Sequence, residues 1–241
     1  MKLVHIQVNS DVNFHKDMIK EKFKNWSTTL QQHYQEIYNS QIKLLPEKLN
    51  QSQPISSAIL VPLLFNQYND LYVLATVRHN SLSLFEGEVC MPGGKCEDSE
   101  TPKETALRET LEEIGLHQDN IEILCEGPSI FYYRNGKVYV VCPVYGLIKK
   151  SFYAALSKNE VIDIFTVNFS RVLEGYEGSL GVPGCGILTN KTFRIIGLSH
   201  FVIAIAASAY YRKMPHKKCF SYTNKSRFFT DFFEYYMIHK L

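Results

Sequence analysis

The chain has 241 residues, of which 45% are hydrophobic and 21% charged; that balance describes a globular protein with one sizeable core and excludes a disordered or low-complexity chain. The formal net charge of +2 gives no global attraction for nucleic acid or for an anionic membrane surface. Six cysteines without a CxxC pair or regular spacing provide no disulfide framework, and they are expected to be reduced thiols in an intracellular compartment.

The opening "MKLVHIQVNSDVNFHKD" has no apolar h-region, so no secretory signal is expected. Residues 14–45 are polar with scattered apolar positions and suit one or two amphipathic helices, and "NQSQPISS" reads as a linker. The expected organisation is therefore an N-terminal helical extension over 1–50 and a main domain over 55–241. "AILVPLLF" and "LYVLATVR", separated by "NQYND", read as a hairpin. "IEILCEGPSIFYY" and "KVYVVCPVYGLI" meet at Asn135-Gly136, a turn pair that tolerates positive φ. "VIDIFTVNF" is a further strand, and "EGSLGVPGCGIL" reads as a surface loop. "FRIIGLSHFVIAIAASAYYRKMP" predicts a strand and then a helix stopped by Pro215. Its apolar run "FVIAIAASAYY" falls short of the ~20 residues that span a bilayer, so it predicts a buried helix and no membrane span. "SRFFTDFFEYYMIHKL" predicts a docking helix at the C-terminus. Strands and helices mix along the chain, which gives an α/β class: a mixed sheet with flanking helices.

The chemistry is concentrated in "GGKCEDSETPKETALRETLEEIGL", Gly93 to Leu116. Thr101 is a natural N-cap, Pro102 suits the first helical position, Glu104 can close a capping box, and Gly115 can end the helix. At ~100° per residue, Ala106, Leu107, Thr110, Leu111 and Ile114 are expected to form the packing face. Glu109, Glu112 and Glu113 are expected together on a separate, acidic face. Arg108 can pair with Glu112 or with Glu100 in the loop. Carboxylates crowded in this way need a counter-cation, and the glycines before the helix permit close backbone approach to a ligand. Mg2+ takes oxygen ligands and is held by carboxylates together with substrate phosphate, so the pattern suits cleavage of a diphosphate.

The stretch resembles the Nudix box, Gly-x5-Glu-x7-Arg-Glu-U-x-Glu-Glu-x-Gly-U, in which U is bulky and apolar. Gly94, Glu100, Arg108, Glu109, Glu112, Glu113, Gly115 and Leu116 stand at the required spacing, and Thr110 takes the first U position. The resemblance implies an α/β/α sandwich around a mixed sheet and hydrolysis of a nucleoside diphosphate linked to another group. It implies that Glu109, Glu112 and Glu113 bind Mg2+ or Mn2+, with the Gly94 carbonyl as a further ligand. Glu109 or a neighbour would help activate water, and the Glu100–Arg108 pair would fix the loop against the helix.

Upstream, "LATVRHNSLSLFEGEVCMPGG" is similar to the extra motif of the coenzyme A diphosphatase branch at Thr76, Arg78, Leu82, Gly87, Glu88, Val89, Cys90, Pro92, Gly93 and Gly94. Ser83 stands where that branch has arginine, and Met91 where it has phenylalanine. The likeness implies coenzyme A or an acyl ester as substrate, cut to 3′,5′-ADP and 4′-phosphopantetheine or its acyl form. Arg78, Gly93 and Glu160 are the candidate substrate-side residues; a surface ion pair for Arg78 and a solvated loop position for Glu160 are the structural alternatives. Other dinucleotides, such as ADP-ribose or NADH, and a catalytically silent nucleotide-binding module are the competing functions. The terminal His239-Lys240-Leu241 resembles the peroxisomal signal Ser-Lys-Leu, which implies an import receptor as partner and a peroxisomal location, with cytoplasm or mitochondria otherwise. Ser199-His200 lacks a nucleophile-elbow context, and the eight histidines show no paired zinc spacing.

Overall fold

The computed structural model describes residues 2–11, 15–25, 55–79, 87–127, 129–134, 137–173, 187–189, 193–195, 197–211 and 213. Its centre is a sheet built on two long strands, β2 (Ile55–Phe65) and β8 (Lys137–Ile148), which lie parallel, Ala58 opposite Cys142 and Leu60 opposite Val144. Strands covered on both faces need near-continuous apolar runs, and "AILVPLLF" and "VVCPVYGLI" supply them. Outward from this pair, β3 (Leu71–Arg78) and β10 (Val161–Asn168) extend one side, and β6 (Ile121–Glu126) extends the other. The short strands β4 (Val89–Cys90), β5 (Gly93–Lys95) and β7 (Ile130–Arg134) pair with β3, β2 and β8 respectively. All of these other pairings are antiparallel, so the sheet is mixed. The β2–β3 hairpin turns through Asn66, whose side-chain oxygen accepts the N–H groups of Tyr68 and Asp70, each at 2.9 Å, while Asn69 takes the left-handed conformation.

The strand alternation sends two sets of side chains to opposite faces. Ala58, Leu60, Leu64, Leu74 and Ile164 pack with Ala106 and Ile114 of the helix α2 (Pro102–Ile114). Val61, Leu63, Phe65, Val73, Ala75 and Val77 pack against the other helices, α1 (residues 15–25) and α3 (Gly197–Tyr211). Helices thus cover both faces, giving the α/β/α sandwich of the expected class. The run Phe201 to Ser208 of α3 is buried without a break, as an all-round apolar helix requires. Among the described residues no helix is long and apolar enough to cross a membrane.

The N-terminal segment shares this core. Leu3–Ile6 (β1) is a strand, where the sequence suggested only helices; it pairs antiparallel with β9 (Phe152–Ala155). Four residues are too few for a period-2 pattern to stand out. Ile19 and Phe23 of α1 are buried, and the Phe23 ring lies 5.4 Å from that of Tyr145. Lys22 stands 4.3 Å from the Tyr210 ring centre and donates to the Tyr210 carbonyl at 2.9 Å. Near the C-terminus, the expected surface loop ends in a strand, β11 (Ile187–Thr189), which pairs with β12 (Phe193–Ile195). The expected linker ends in strand instead, since Ile55, Ser56 and Ser57 begin β2; its earlier residues, the second half of the expected N-terminal helical region, Pro215, the C-terminal docking helix and His239-Lys240-Leu241 lie outside the described residues.

Candidate active site

Helix α2 begins and ends as its sequence dictates. The Thr101 hydroxyl accepts the Glu104 N–H at 3.3 Å, and the Glu104 carboxylate accepts the Thr101 N–H at 2.8 Å, closing a capping box behind Pro102. Gly115 stops the helix at φ 69° and returns its N–H to the Leu111 carbonyl at 2.9 Å. These caps fix which way each glutamate points.

The faces of α2 differ from the expected division. Thr105, Ala106, Thr110, Glu113 and Ile114 are buried, while Leu111 is 45% exposed. Glu113 belongs to the packing face, because a separation of seven residues brings it almost back in line with Ala106 at ~100° per residue. The three glutamates therefore descend from solvent into the core. The Glu112 side chain is 53% exposed, that of Glu109 is 18% exposed, and Glu113 as a whole is 4% exposed.

Arg108 compensates the outer two. Its Nε donates to Glu100 Oε1 at 2.7 Å and one terminal nitrogen to Glu100 Oε2 at 3.0 Å, a two-pronged charge-assisted contact. The other terminal nitrogen reaches Glu109 Oε1 at 3.0 Å and Glu112 Oε2 at 3.3 Å, and the first also donates to the Lys95 carbonyl at 3.2 Å. Glu100 Oε2 further accepts the Thr105 hydroxyl at 2.8 Å and the Glu97 N–H at 3.0 Å. This set of donors, led by Arg108, holds the Glu100 carboxyl down to about 2. Arg108 in turn is held even more firmly protonated, first by Glu100. The loop 95–100 is thereby tied to the helix from both ends of one guanidinium.

Glu113 receives no bond from Arg108. Burial pushes its carboxyl up to about 8, against the opposing pull of the Arg78 charge and a hydrogen bond from the Gly93 backbone. Its Oε2 is buried and has no hydrogen-bond partner. Burial also raises Glu109, opposed by Arg108 and reinforced by the Glu112 and Glu160 charges. Gly94 lies directly under Glu109: a Cβ there would stand 2.2 Å from Glu109 Oε1, so only glycine lets the carboxylate rest on the β5 backbone. Among the described residues, no three acid, His or Cys side chains are already gathered in ligand geometry around one point; Glu109 and Glu112 are turned towards Arg108. The donor set nevertheless fits a hard divalent cation. A buried carboxylate oxygen without a partner is costly, and oxygen donors from Glu109, Glu112, Glu113 and the β5 backbone are the ligands Mg2+ or Mn2+ prefer.

The flank motif lies beside the same carboxylates. Thr76 pairs with Cys90 across β3 and β4; its hydroxyl donates to the Cys90 carbonyl at 3.2 Å and lies 3.3 Å from the Cys90 Sγ. Arg78 ends β3 with its N–H on the Glu88 carbonyl at 3.0 Å, and its buried Nε has no hydrogen-bond partner. Its guanidinium contacts the Cys90 thiol, which burial and the Glu113 charge push up to about 11. Glu160 is brought to the site from the 158–160 turn, its carbonyl accepting the His79 N–H at 2.8 Å and its charge acting on both Glu109 and Glu113. Gly93 is packed so tightly that a Cβ would stand 2.3 Å from the Ala58 carbonyl oxygen. Met91 is 2% exposed within the core under α3, so its departure from phenylalanine is a matter of packing. Leu82 and Ser83 lie outside the described residues. Sequence reasoning did not single out Thr105 or the Lys95 carbonyl, and it named Gly93 for the substrate side and not as a backbone donor to Glu113.

This constellation, a glycine strand, a tied loop and a graded acidic helix on a mixed sheet, defines a class. Residues 55–174 match the NUDIX domain family, and the chain is a NUDIX-domain protein. It is 38% identical over 111 residues to the peroxisomal coenzyme A diphosphatase of Mus musculus, covering 46% of this chain and 45% of that protein. It is 34% identical over 120 residues to Nudix hydrolase 3 of Caenorhabditis elegans, covering 48% of this chain and 49% of that one. It is 32% identical over 120 residues to a peroxisomal coenzyme A diphosphatase of Caenorhabditis elegans, covering 49% and 50%. The chain spans about half the length of these curated relatives.

Proposed function

We propose that the protein is a metal-dependent diphosphatase that cleaves coenzyme A or acyl-coenzyme A to 3′,5′-ADP and 4′-phosphopantetheine or its acyl form. What carries the substrate class is the flank motif Thr76 to Gly94, of which Arg78 and Gly93 act on Glu113 of the box and Thr76 pairs with Cys90 beside them. The names of the Mus musculus and Caenorhabditis elegans relatives support it. Glu109, Glu112 and Glu113, with the Gly94 carbonyl, would hold Mg2+ or Mn2+. The bound ion supplies charge for the diphosphate oxygens and lowers the pKa of an attacking water. Glu109 is the residue assigned to help take the proton from that water: it is half-buried, charged neighbours surround it, and Arg108 steadies it. Glu100 and Arg108 keep the loop and helix in register. Gly93 and Glu160 lie on the substrate side, Gly93 by bringing backbone close and Glu160 by closing the acidic site from the β10 side.

Incubating the purified protein and Mg2+ with coenzyme A, acyl-coenzyme A, ADP-ribose, NADH and capped RNA tests the substrate class. Preference for coenzyme A or its esters is expected; preference for any of the last three overturns the assignment. Glu112→Gln and Glu113→Gln should each abolish turnover in folded protein. We also propose a peroxisomal location through His239-Lys240-Leu241, which the peroxisomal relatives support; loss of peroxisomal import on deleting those three residues is the check.

A further inference from the structure

We infer that Lys2 is a positioning residue that clamps both legs of the turn carrying Glu160, and so fixes where Glu160 stands beside the acidic helix. Lys2 lies outside residues 55–174, the part of the chain that matches the family. The first argument is where the turn is held. Residues 157–160 join β9 to β10. On the inner side, the Ser157 N–H donates to the Glu113 carbonyl at 2.9 Å, and the Glu160 carbonyl accepts the His79 N–H at 2.8 Å. These two bonds set the turn between the C-terminal end of α2 and the end of β3. Within the turn, the Ser157 carbonyl accepts the N–H groups of Glu160 at 3.3 Å and of Val161 at 3.0 Å.

The second argument is that both legs of the turn meet one residue. Before the turn, the β1–β9 register puts Leu3 opposite Ala155 and runs on until the Leu156 N–H donates to the Lys2 carbonyl at 3.2 Å. After the turn, the Lys2 ammonium reaches Asp163 Oδ1 at 2.6 Å. Between Glu160 and Asp163 the strand is bulged: Val161 stands opposite Arg78 and Asp163 opposite Val77, which leaves Ile162 as the extra residue. A bulge bends its strand and re-aims the side chains beside it. Glu160 lies just before this bend, and Asp163, held by Lys2, is a fixed point just beyond it. The third argument is that the clamp has a rigid base. Ile6 and Val8 are buried. The Val8 N–H donates to the Ser151 hydroxyl at 2.8 Å, and that hydroxyl donates to the Val8 carbonyl at 3.2 Å. The Asn9 N–H donates to the Phe65 carbonyl at 2.9 Å, on the β2–β3 hairpin. The Lys2 and Asp163 side chains are 55% and 37% exposed, so replacing them leaves the core intact, and the pair acts on the turn more than on global stability.

Amide hydrogen exchange in metal-free buffer reads the clamp directly. Lys2→Glu sets a like charge against Asp163 and is expected to speed exchange at Ser157, Glu160 and Val161 about fivefold, with the amides of α2 unchanged. Lys2→Arg should keep the wild-type rates, and Lys2→Glu combined with Asp163→Lys should restore them. Unchanged exchange in Lys2→Glu, or no recovery in the reversed pair, overturns the clamp. The link from the turn to turnover rests on the function proposed above, and a second measurement separates the two. On the best substrate, Lys2→Glu should lower kcat/KM about threefold in the wild-type background and have no further effect in the Glu160→Gln background. Equal losses in both backgrounds mark a general loosening and overturn the positioning of Glu160. Wild-type turnover in Glu160→Gln overturns the role given to Glu160 itself. A protein that hydrolyses none of the substrates overturns the proposed function, and the exchange rates still decide the clamp.

Discussion

Gly94→Ala separates chemistry from folding at this site more cleanly than any change to a carboxylate. The added methyl would stand 2.2 Å from Glu109 Oε1, 2.4 Å from its Cδ and 2.8 Å from its Oε2, where ordinary contact begins near 3.4 Å. The carboxylate must retreat by about 1.2 Å, and it is the far end of a flexible side chain, so the fold can accommodate the move. The hydrogen bond from Arg108 to Glu109, 3.0 Å long, does not survive that shift unchanged. A displacement of about 1 Å in a catalytic group costs about a hundredfold in rate. Gly93→Ala is the control. Its methyl would meet the Ala58 carbonyl oxygen at 2.3 Å and the Ile59 Cα at 2.6 Å, which are backbone atoms of β2 with no freedom to move. Thermal melts should therefore leave Gly94→Ala within a few degrees of wild type and lower Gly93→Ala by far more. Diphosphate hydrolysis measured on the best substrate should fall about a hundredfold in Gly94→Ala. Wild-type turnover in Gly94→Ala, or a loss of stability equal to that of Gly93→Ala, would refute the placement of Glu109 on the β5 backbone.

The remaining predictions concern stability. Phe23→Ala empties a buried position against Tyr145 and should cost about 3–5 kcal/mol, read as a fall in denaturant midpoint at constant slope; a neutral effect would mean that α1 is not part of the core. Thr101→Ala removes one half of the capping box and should cost about 1 kcal/mol, with a melting temperature lower by about 2–4 °C. Burial lowers His200 to about 4, from 6.5 in the unfolded chain. The unfolded state then binds the extra proton as pH falls from about 6.5 towards about 4, so stability is full above that window and is lost on acidification through it. Between pH 7 and 5 the loss from this residue is about 2 kcal/mol, and His200→Gln should flatten the wild-type slope by that amount in urea titrations.

The elements whose patterns are long were legible in the sequence. The β2–β3 hairpin, β8, α2 with both caps, and the apolar α3 follow from composition and period over eight or more residues. The short strands were not: Val89–Cys90 and Gly93–Lys95 exist because a longer neighbour offers them an edge, Leu3–Ile6 pairs with an equally short strand, and nothing local demands any of them. The acidic helix shows the same boundary at the scale of one side chain. Spacing names Glu109, Glu112 and Glu113 as a set, but a rule that sorts residues by polarity puts all three outside. Rotation along the helix places Glu113 beside Ala106, and the sheet then covers it. Burial pushes a carboxyl on a packing face towards its neutral form, and Glu113 moves in that direction. The Arg78 charge on β3 and the Gly93 N–H on β5 pull the other way, so strands outside the helix also shape the surroundings of Glu113. The three-dimensional site is therefore the acidic helix together with the strands that flank it, and a reading confined to the helix describes only part of it.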